Sequence, residues 1–153
     1  NCLIHSPAGE YAQGIDISFG FDVAPSIVED CTVVGGREGI VTHFANAHVE
    51  DNRVSGTTLR GLTLTEMSMA MVEGNEVTDA LGVGIFCGDY SECEIDDNSV
   101  HGIRPDRASG DTTRMGVGIL AHYNAKAVLG DNEVSDSPGG TRAVLGAEIS
   151  RSD

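Results

Sequence analysis

The sequence predicts an all-β solenoid in which short parallel strands stack coil upon coil into three sheets. The first observation is an asparagine that returns almost in register, at Asn52, Asn75, Asn98 and Asn132. The second is a glycine followed by an apolar residue, 13 or 14 residues before each asparagine, at Gly39, Gly61, Gly84 and Gly118. The third is a set of short runs between these two points in which apolar and polar residues alternate. A repeat period above about 20 residues is typical of a repeat array.

Three strands are predicted for each coil, and the unit that begins at Gly84 shows them in order. Its first strand covers 84–87, a polar turn follows, and its second strand covers 93–95. A tight bend then precedes the third strand, which includes Val100. Alternation with a period of two, bounded by Gly, Asn and Asp, is strand patterning rather than helix patterning. The inward positions of this unit are Ile85, Cys87, Cys93, Ile95 and Val100.

The repeated asparagine occupies the bend between the second and third strands. Asparagine suits a bend because it tolerates left-handed backbone angles. Its amide can also bond the backbone or an identical amide one coil away, so the four asparagines are expected to form an asparagine ladder. Neighbouring strands lie ~4.8 Å apart, and this distance would be the rise per coil.

The register extends beyond the four asparagines. Cys31 takes the asparagine position in an earlier coil, and Asn1 takes it in the coil before that. The 34-residue step from Asn98 to Asn132 exceeds the usual 23 by 11, and the polar segment 104–114, which contains Pro and Gly, is the corresponding loop insertion. Segment 143–149 has the pattern of a strand in a further coil. These counts predict a single domain over 1–153 with about five to six coils.

Both ends of the array lack the polar cap that terminal repeats normally carry. We therefore expect the chain to be a fragment of a longer array, joined to further coils, or to stack end to end as a homo-oligomer.

The repeated phrase resembles the short-repeat units, Gly-Ile followed by Ile-x-x-Asn-x-Ile-x-Gly, of the pectate-lyase-like superfamily. The resemblance covers essentially the whole chain and is clearest over 14–136. It implies a right-handed parallel β-helix. The superfamily contains lyases, hydrolases, epimerases, phage tailspikes and adhesins, and the fold does not select among these functions.

The charge balance narrows the class of partner. The chain has 24 acidic and 9 basic residues, for a net charge of −15. This argues against nucleic acid, because binding phosphates requires Lys and Arg. No run approaches the roughly 18 apolar residues of a membrane-spanning helix, so no membrane span is predicted.

Four cysteines are compatible with an oxidising compartment, so we expect the protein to lie outside the cell or on its surface. Cys87 and Cys93 flank the turn of one coil, whereas Cys2 and Cys31 lie one coil apart near the bend. We expect the disulfides Cys87–Cys93 and Cys2–Cys31, because small extracellular repeat domains often need such links. The alternative is four free thiols in the core.

The outward residues of the first strand indicate whether the chain could be a polysaccharide-cleaving enzyme. In polysaccharide-cleaving relatives, the resemblance implies that this face forms the sugar cleft. The outward row reads Val41, Thr63, Phe86 and Leu120. It offers no Arg, Lys or Asp for proton abstraction, which argues against a catalytic cleft. Two interpretations remain for this apolar row, namely cover by the 104–114 loop or a contact surface.

An acidic row precedes the asparagines. Its members are Glu50, Asp51, Glu73, Asp96 and Asp97. Stacked carboxylates repel unless a cation lies between them, and their oxygens suit Ca²⁺. The alternative is a solvated edge that discourages lateral aggregation of the sheet.

A polar cluster follows the first strand, with one member from each of four coils. Its residues are His43, Glu66, Asp89 and His122. Histidine and carboxylates can form a general acid–base pair or a metal site. The alternative is an ordinary polar turn, since no pair repeats a known ligand spacing.

Two functions are consistent with these features. The first is a non-catalytic extracellular or cell-surface module for adhesion, glycan contact or scaffolding, whose partner is a polysaccharide or a protein surface. It needs no cofactor apart from a possible calcium ion. The second is a fragment of a polysaccharide lyase, hydrolase or epimerase whose catalytic residues lie outside this chain or in the 104–114 loop. The apolar outward row favours the first.

Overall fold

The chain folds as a parallel β-solenoid of six coils. The computed structural model describes residues 1–5, 9, 11–21 and 24–152. Each of three sheets contains six strands, and every strand pairs in parallel with the equivalent strand one coil away. The all-β class and the three parallel sheets predicted from the sequence are confirmed.

Eighteen strands follow one another along the described part of the chain. They are β1 (Cys2–His5), β2 (Gln13–Ser18), β3 (Ser26–Glu29), β4 (Cys31–Val34), β5 (Glu38–His43), β6 (Asn46–Glu50), β7 (Arg53–Ser55), β8 (Arg60–Thr65), β9 (Met69–Glu73), β10 (Glu76–Thr78), β11 (Val83–Cys87), β12 (Glu92–Asp96), β13 (Ser99–His101), β14 (Val117–His122), β15 (Lys126–Leu129), β16 (Glu133–Ser135), β17 (Gly140–Val144) and β18 (Glu148–Arg151). Every third strand belongs to one sheet. We call the sheet of β2 the first, that of β3 the second, and that of β1 and β4 the third.

The core is a set of apolar stacks, one for each inward position of a coil. In the first sheet Ile40, Leu62, Ile85 and Ile119 lie in register, and each is at most 1% exposed. Burying one such side chain contributes about 1.5–3 kcal/mol. Stacking therefore stabilises each coil through its neighbours, which is why the period-two alternation is so regular.

The glycine of each Gly-apolar phrase is required by close packing between sheets. A Cβ at Gly61 would collide with Val77 and would lie 2.8 Å from the carbonyl oxygen of Gly84. The first sheet therefore approaches the third sheet at a point where only hydrogen fits.

The four repeated asparagines form one hydrogen-bonded column. The Nδ2 groups of Asn52, Asn75 and Asn98 each donate to the Oδ1 of the next asparagine, at 2.9–3.0 Å. The same Oδ1 atoms also accept the backbone N–H of the preceding asparagine. Each bond therefore joins two neighbouring coils.

The left-handed bend lies one residue earlier than the sequence suggested. Asp51, Gly74 and Asp97 have φ values of 53°, 65° and 50°, whereas the following asparagines do not have positive φ. The asparagine side chain turns inward and is buried, so the residue before it makes the sharp change of direction. The prediction of a left-handed asparagine was therefore wrong.

The 104–114 insertion leaves the solenoid between β13 and β14. It contains a 3₁₀ turn, Thr112–Arg114, capped by Asp111. Hydrogen bonds from Thr113 hold the pKa of the Asp111 carboxyl below its ordinary value. Within the loop, Arg114 Nη2 lies 2.5 Å from Asp106 Oδ2, and both side chains are largely buried.

Both predicted disulfides are confirmed. Cys87–Cys93 joins β11 to β12 within one coil, and Cys2–Cys31 joins β1 to β4 in neighbouring coils. Among the residues that the structure describes, no helix is long and apolar enough to cross a membrane.

Candidate functional site

The turn between the first and second sheets carries one exposed apolar side chain in every coil. We call this set the turn column. Its residues are Phe19, Phe44, Met67, Tyr90, Tyr123 and Leu145. Their exposed fractions run from 40% to 79%, although core positions a few residues away are fully buried. Exposed apolar patches of this kind are typical of interaction surfaces.

Backbone geometry directs these side chains outward. All six residues have positive φ, between 45° and 63°. The Met67 N–H donates to the Asp89 carbonyl at 2.9 Å, and the Tyr90 N–H donates to the Tyr123 carbonyl at 3.1 Å. The turns are therefore bonded to one another along the axis, as the strands are.

Small residues fill the inner side of the same turn. Ala45, Ser68, Ser91 and Ala125 are fully buried. Ser91 Oγ accepts the Ser68 N–H at 3.1 Å, and Ser68 Oγ donates to the Thr65 carbonyl at 2.7 Å. The inner side has no room for a large side chain, so the bulky residue next to it lies on the surface.

The aromatic rings of the turn column contact one another along the axis. The ring centroids of Phe19 and Phe44 are 6.3 Å apart, and Phe21, which is not part of the column, lies 4.7 Å from Phe44. Tyr90 and Tyr123 meet edge to face at 5.5 Å. These separations lie in the favourable range for aromatic pairs, which restrains the rings before any ligand binds.

A groove of about 590 Å³ opens along the turn column. Its lining residues are Phe19, Phe44, Glu66, Met67, Asp89 and Tyr90. Four of these six side chains are apolar and two are carboxylates. The Thr65 hydroxyl donates to Asp89 Oδ2 at 2.6 Å, and His43 Nδ1 lies 3.7 Å from Glu66 Oε1.

The polar cluster predicted after the first strand is divided by the structure. Glu66 and Asp89 enter the groove, and His43 stands beside Glu66. His122 instead packs against the rings of Phe86, at 5.5 Å, and Tyr123, at 6.5 Å. The carboxylates therefore belong to a largely apolar groove rather than to an acid–base file of four residues.

The outward row of the first sheet is buried. Val41, Thr63, Phe86 and Leu120 are at most 3% exposed. The Arg60 guanidinium lies over the Phe86 ring, 3.7 Å from its centroid. This row is therefore not an exposed contact surface, and the interpretation that it forms one was wrong.

A charged pair lies on the same face, at positions that the sequence reading left out. Glu38 Oε1 accepts the Thr63 hydroxyl at 2.8 Å and lies 3.4 Å from Arg60 Nη1. Burial lowers the pKa of Arg60, while the nearby Glu38 carboxylate opposes that shift. Three buried nitrogens near this face have no hydrogen-bond partner within the described part of the chain, namely Arg60 Nε, Arg114 Nε and His122 Nδ1.

The acidic row lies in register on the second sheet. Glu50 pairs with Glu73, and Glu73 pairs with Asp96. Asp51 and Asp97 occupy the left-handed bend. Within the described ranges, no group of three or more His, Cys, Asp or Glu is arranged to hold a metal ion.

The turn column was missed from the sequence, although a spacing marks part of it. Phe44, Met67 and Tyr90 each stand eight residues before an asparagine of the column, and Tyr123 stands nine before. Large apolar residues at a fixed distance from the bend, within a segment that otherwise reads as a polar turn, are the signal.

An all-β solenoid with three parallel sheets and stacked inward rows defines a β-helix repeat protein. Residues 1–150 match the family described as the right handed beta helix region, and the chain belongs to that family. The right-handed parallel β-helix implied by the resemblance is thereby confirmed. Comparison with curated proteins and with solved structures found no match.

Proposed function

We propose that this chain is a non-catalytic extracellular or cell-surface module that binds glycan chains along the turn column. The observation that carries the proposal is one exposed apolar or aromatic side chain per coil over six successive coils. Sugar rings present flat C–H faces, and aromatic side chains offer complementary flat surfaces with a polar edge.

The spacing of the column supports a polymeric ligand. Successive strands lie ~4.8 Å apart, and the turns follow the same rise because they are bonded through their backbones. One hexose in an extended polysaccharide covers a similar length. A chain lying along the solenoid axis can therefore contact a new ring at each coil, and several weak contacts on one strand add up to avidity.

The disulfides are in keeping with an oxidising location. Cys87 and Cys93 are buried and paired, and the described cysteines include no free thiol. Disulfides of this kind persist outside the cytosol.

A polysaccharide panel scored for both binding and cleavage tests the proposal. We expect one or more neutral or amino glycans to bind without release of products. Phe44→Ala and Tyr90→Ala should each weaken binding about two- to tenfold, since an aromatic contact of this kind contributes about 0.5–1.5 kcal/mol. Tyr11→Ala is the matched control, because Tyr11 is 74% exposed and lies outside the column. Equal losses from all three variants would overturn the assignment of the site.

The charged pair on the first sheet supports a second candidate, a polysaccharide-active enzyme. Arg60 is a basic residue of that face, and its Nε has no hydrogen-bond partner among the described residues. Its guanidinium is already engaged by Glu38 and by the Phe86 ring, which favours a structural role. Product release by the wild-type chain that is lost in Arg60→Met and kept in Tyr90→Ala would establish the enzyme instead.

A further inference from the structure

The groove of the turn column combines aromatic faces with negative charge. Glu66 and Asp89 come from successive coils and share the groove with Phe44, Met67 and Tyr90. Its lining contains no lysine or arginine among the described residues. The exposed surface of the groove is almost entirely apolar, and the two carboxylates contribute charge to it rather than polar area.

We propose that this groove selects amino-sugar polymers whose units carry free ammonium groups, an inference that rests on the proposed glycan-binding function. Aromatic faces attract cations through the ring quadrupole when the cation lies within about 6 Å of the ring centroid. Carboxylates add a charge-assisted hydrogen bond to each ammonium group. A neutral sugar can use only the ring faces, and a uronate is repelled.

The arrangement of the Glu66 and Asp89 carboxylates suits a ligand that carries positive charges at intervals along its length. Glu66 and Asp89 occupy equivalent positions one coil apart, each at the first left-handed residue of its turn. Their separation along the axis follows the strand spacing of ~4.8 Å. A polymer with ammonium groups along its length can therefore bring a charge near the carboxylate of either coil.

Local contacts orient both carboxylates. Asp89 is held by the Thr65 hydroxyl at 2.6 Å, and Glu66 is restrained by His43 at 3.7 Å. Asp89 also feels the charge of Arg60, which lies on the neighbouring face. The Thr65 hydroxyl carries no charge, so it orients Asp89 without neutralising it.

The net charge of the whole chain acts in the same direction. At −15, it repels polyuronates and draws polycations toward the surface. That long-range effect alone would favour binding of a polycation near any carboxylate of the chain, inside or outside the groove. The test must therefore separate the groove from the general acidity of the chain.

Equal-length soluble oligomers of glucosamine and of N-acetylglucosamine are the probes, titrated by calorimetry at fixed ionic strength. They share one backbone and differ at the nitrogen of each sugar, which is a charged ammonium in the first, at a pH at which the amines are protonated, and an uncharged acetamide in the second. We expect the glucosamine oligomer to bind more tightly to the wild-type chain. The double variant Glu66→Gln/Asp89→Asn should lose about two- to fivefold for each carboxylate toward glucosamine, and little toward the acetylated oligomer.

Glu92→Gln/Glu94→Gln is the matched control, because it removes two exposed carboxylates of β12 on the second sheet. Thermal unfolding of both double variants checks that they fold. Equal losses of glucosamine binding in the two variants would show that only the general acidity of the chain matters, and would overturn the inference.

The remaining outcomes separate this inference from the proposed function. Binding of the acetylated oligomer with no gain for glucosamine overturns the selectivity and leaves the glycan site standing. Polylysine that binds as tightly as glucosamine, with the same loss in Glu66→Gln/Asp89→Asn, would assign the groove to a basic peptide instead. If neither the oligomers nor the polysaccharide panel bind, both proposals fall.

Discussion

Each buried asparagine of the column serves two neighbouring coils. Asn75 accepts from the backbone N–H and Nδ2 of Asn52, and it donates to the Val49 carbonyl and to Asn98. Replacing it with alanine would leave backbone groups unpaired in the core, each at a cost of about 1–3 kcal/mol. We expect Asn75→Ala to lower the free energy of unfolding by about 2–5 kcal/mol, measured by denaturant titration.

Two other asparagines serve as controls for the loss of stability expected in Asn75→Ala. Asn46 lies on the outward side of the second sheet, and Asn46→Ala should change stability by no more than about 0.5 kcal/mol. Asn132 ends the column and is only partly buried, so Asn132→Ala should give an intermediate loss. A similar loss from Asn46→Ala and Asn75→Ala would show that the column contributes no special stability.

The sequence predicts which residues form the column better than it predicts their backbone angles. A buried amide that recurs in register needs a partner in each coil, and the pattern of Asn52, Asn75 and Asn98 expresses that need directly. The left-handed position is less certain, because Asp51 and Asp97 tolerate positive φ as readily as the asparagines beside them. The residue whose side chain is buried in the core keeps a negative φ, and its neighbour adopts the left-handed conformation.

Strands of the second sheet are predictable from sequence because one face is buried and the other is not, so a one-residue shift would reverse every side chain. The turn column lacks such a constraint. Two residues separate His43 from Asn46, whereas three separate Thr65 from Met69, so equivalent turn positions do not align when they are counted from the end of the first strand. Its exposed side chains also differ in chemistry, and only the structure shows that they project to one edge.

The two disulfides differ in what they hold. Cys87–Cys93 closes a short loop in the middle of the array, whereas Cys2–Cys31 ties down the first coil. Repeat arrays are stabilised by nearest-neighbour contacts, so an end coil can open without the rest. We expect Cys2→Ser/Cys31→Ser to raise hydrogen exchange in β1 and β2 only.

Cys87→Ser/Cys93→Ser should lower the stability of the whole array by about 2 kcal/mol.

Hydrogen exchange read by mass spectrometry on peptides from each coil measures both variants. Fast exchange that spreads through all coils after loss of Cys2–Cys31 would contradict the independent opening of the first coil. Loss of Cys87–Cys93 with no change beyond its own turn would contradict its role in the array.

The insertion loop depends on its internal ion pair. Asp106 and Arg114 are largely buried and lie 2.5 Å apart, so Asp106→Ala would leave the Arg114 guanidinium without its carboxylate. We expect a loss of about 1–3 kcal/mol, measured by thermal unfolding, because a poorly solvated charge loses its partner. Asp131→Ala removes an exposed carboxylate and should have little effect. Equal thermal unfolding midpoints for the two variants would show that the Asp106–Arg114 pair does not contribute to the cooperative unfolding of the chain.

Negative charge is the dominant electrostatic feature of the folded chain. With 24 acidic and 9 basic residues, the folded chain concentrates like charges that the unfolded chain would separate. Salt screens such repulsion, since the screening length falls to about 10 Å at 0.1 M ionic strength. We expect the thermal midpoint to rise with sodium chloride. A midpoint that falls over the same range would mean that local ion pairs outweigh the net repulsion.

Thermal unfolding with and without calcium shows whether the acidic row holds a specific calcium site or is only a solvated edge. Glu50, Glu73 and Asp96 lie in register, yet the described residues present no group of three ligands arranged for a metal ion. We therefore expect calcium to act as a screening ion, giving the same thermal midpoint as magnesium at matched ionic strength and no loss with EDTA. A specific calcium site would instead raise the midpoint in proportion to RT ln(1 + [Ca²⁺]/Kd), since only the folded chain would bind the ion. A calcium-specific rise that disappears in Glu73→Gln would overturn this expectation and place the ion on the second sheet.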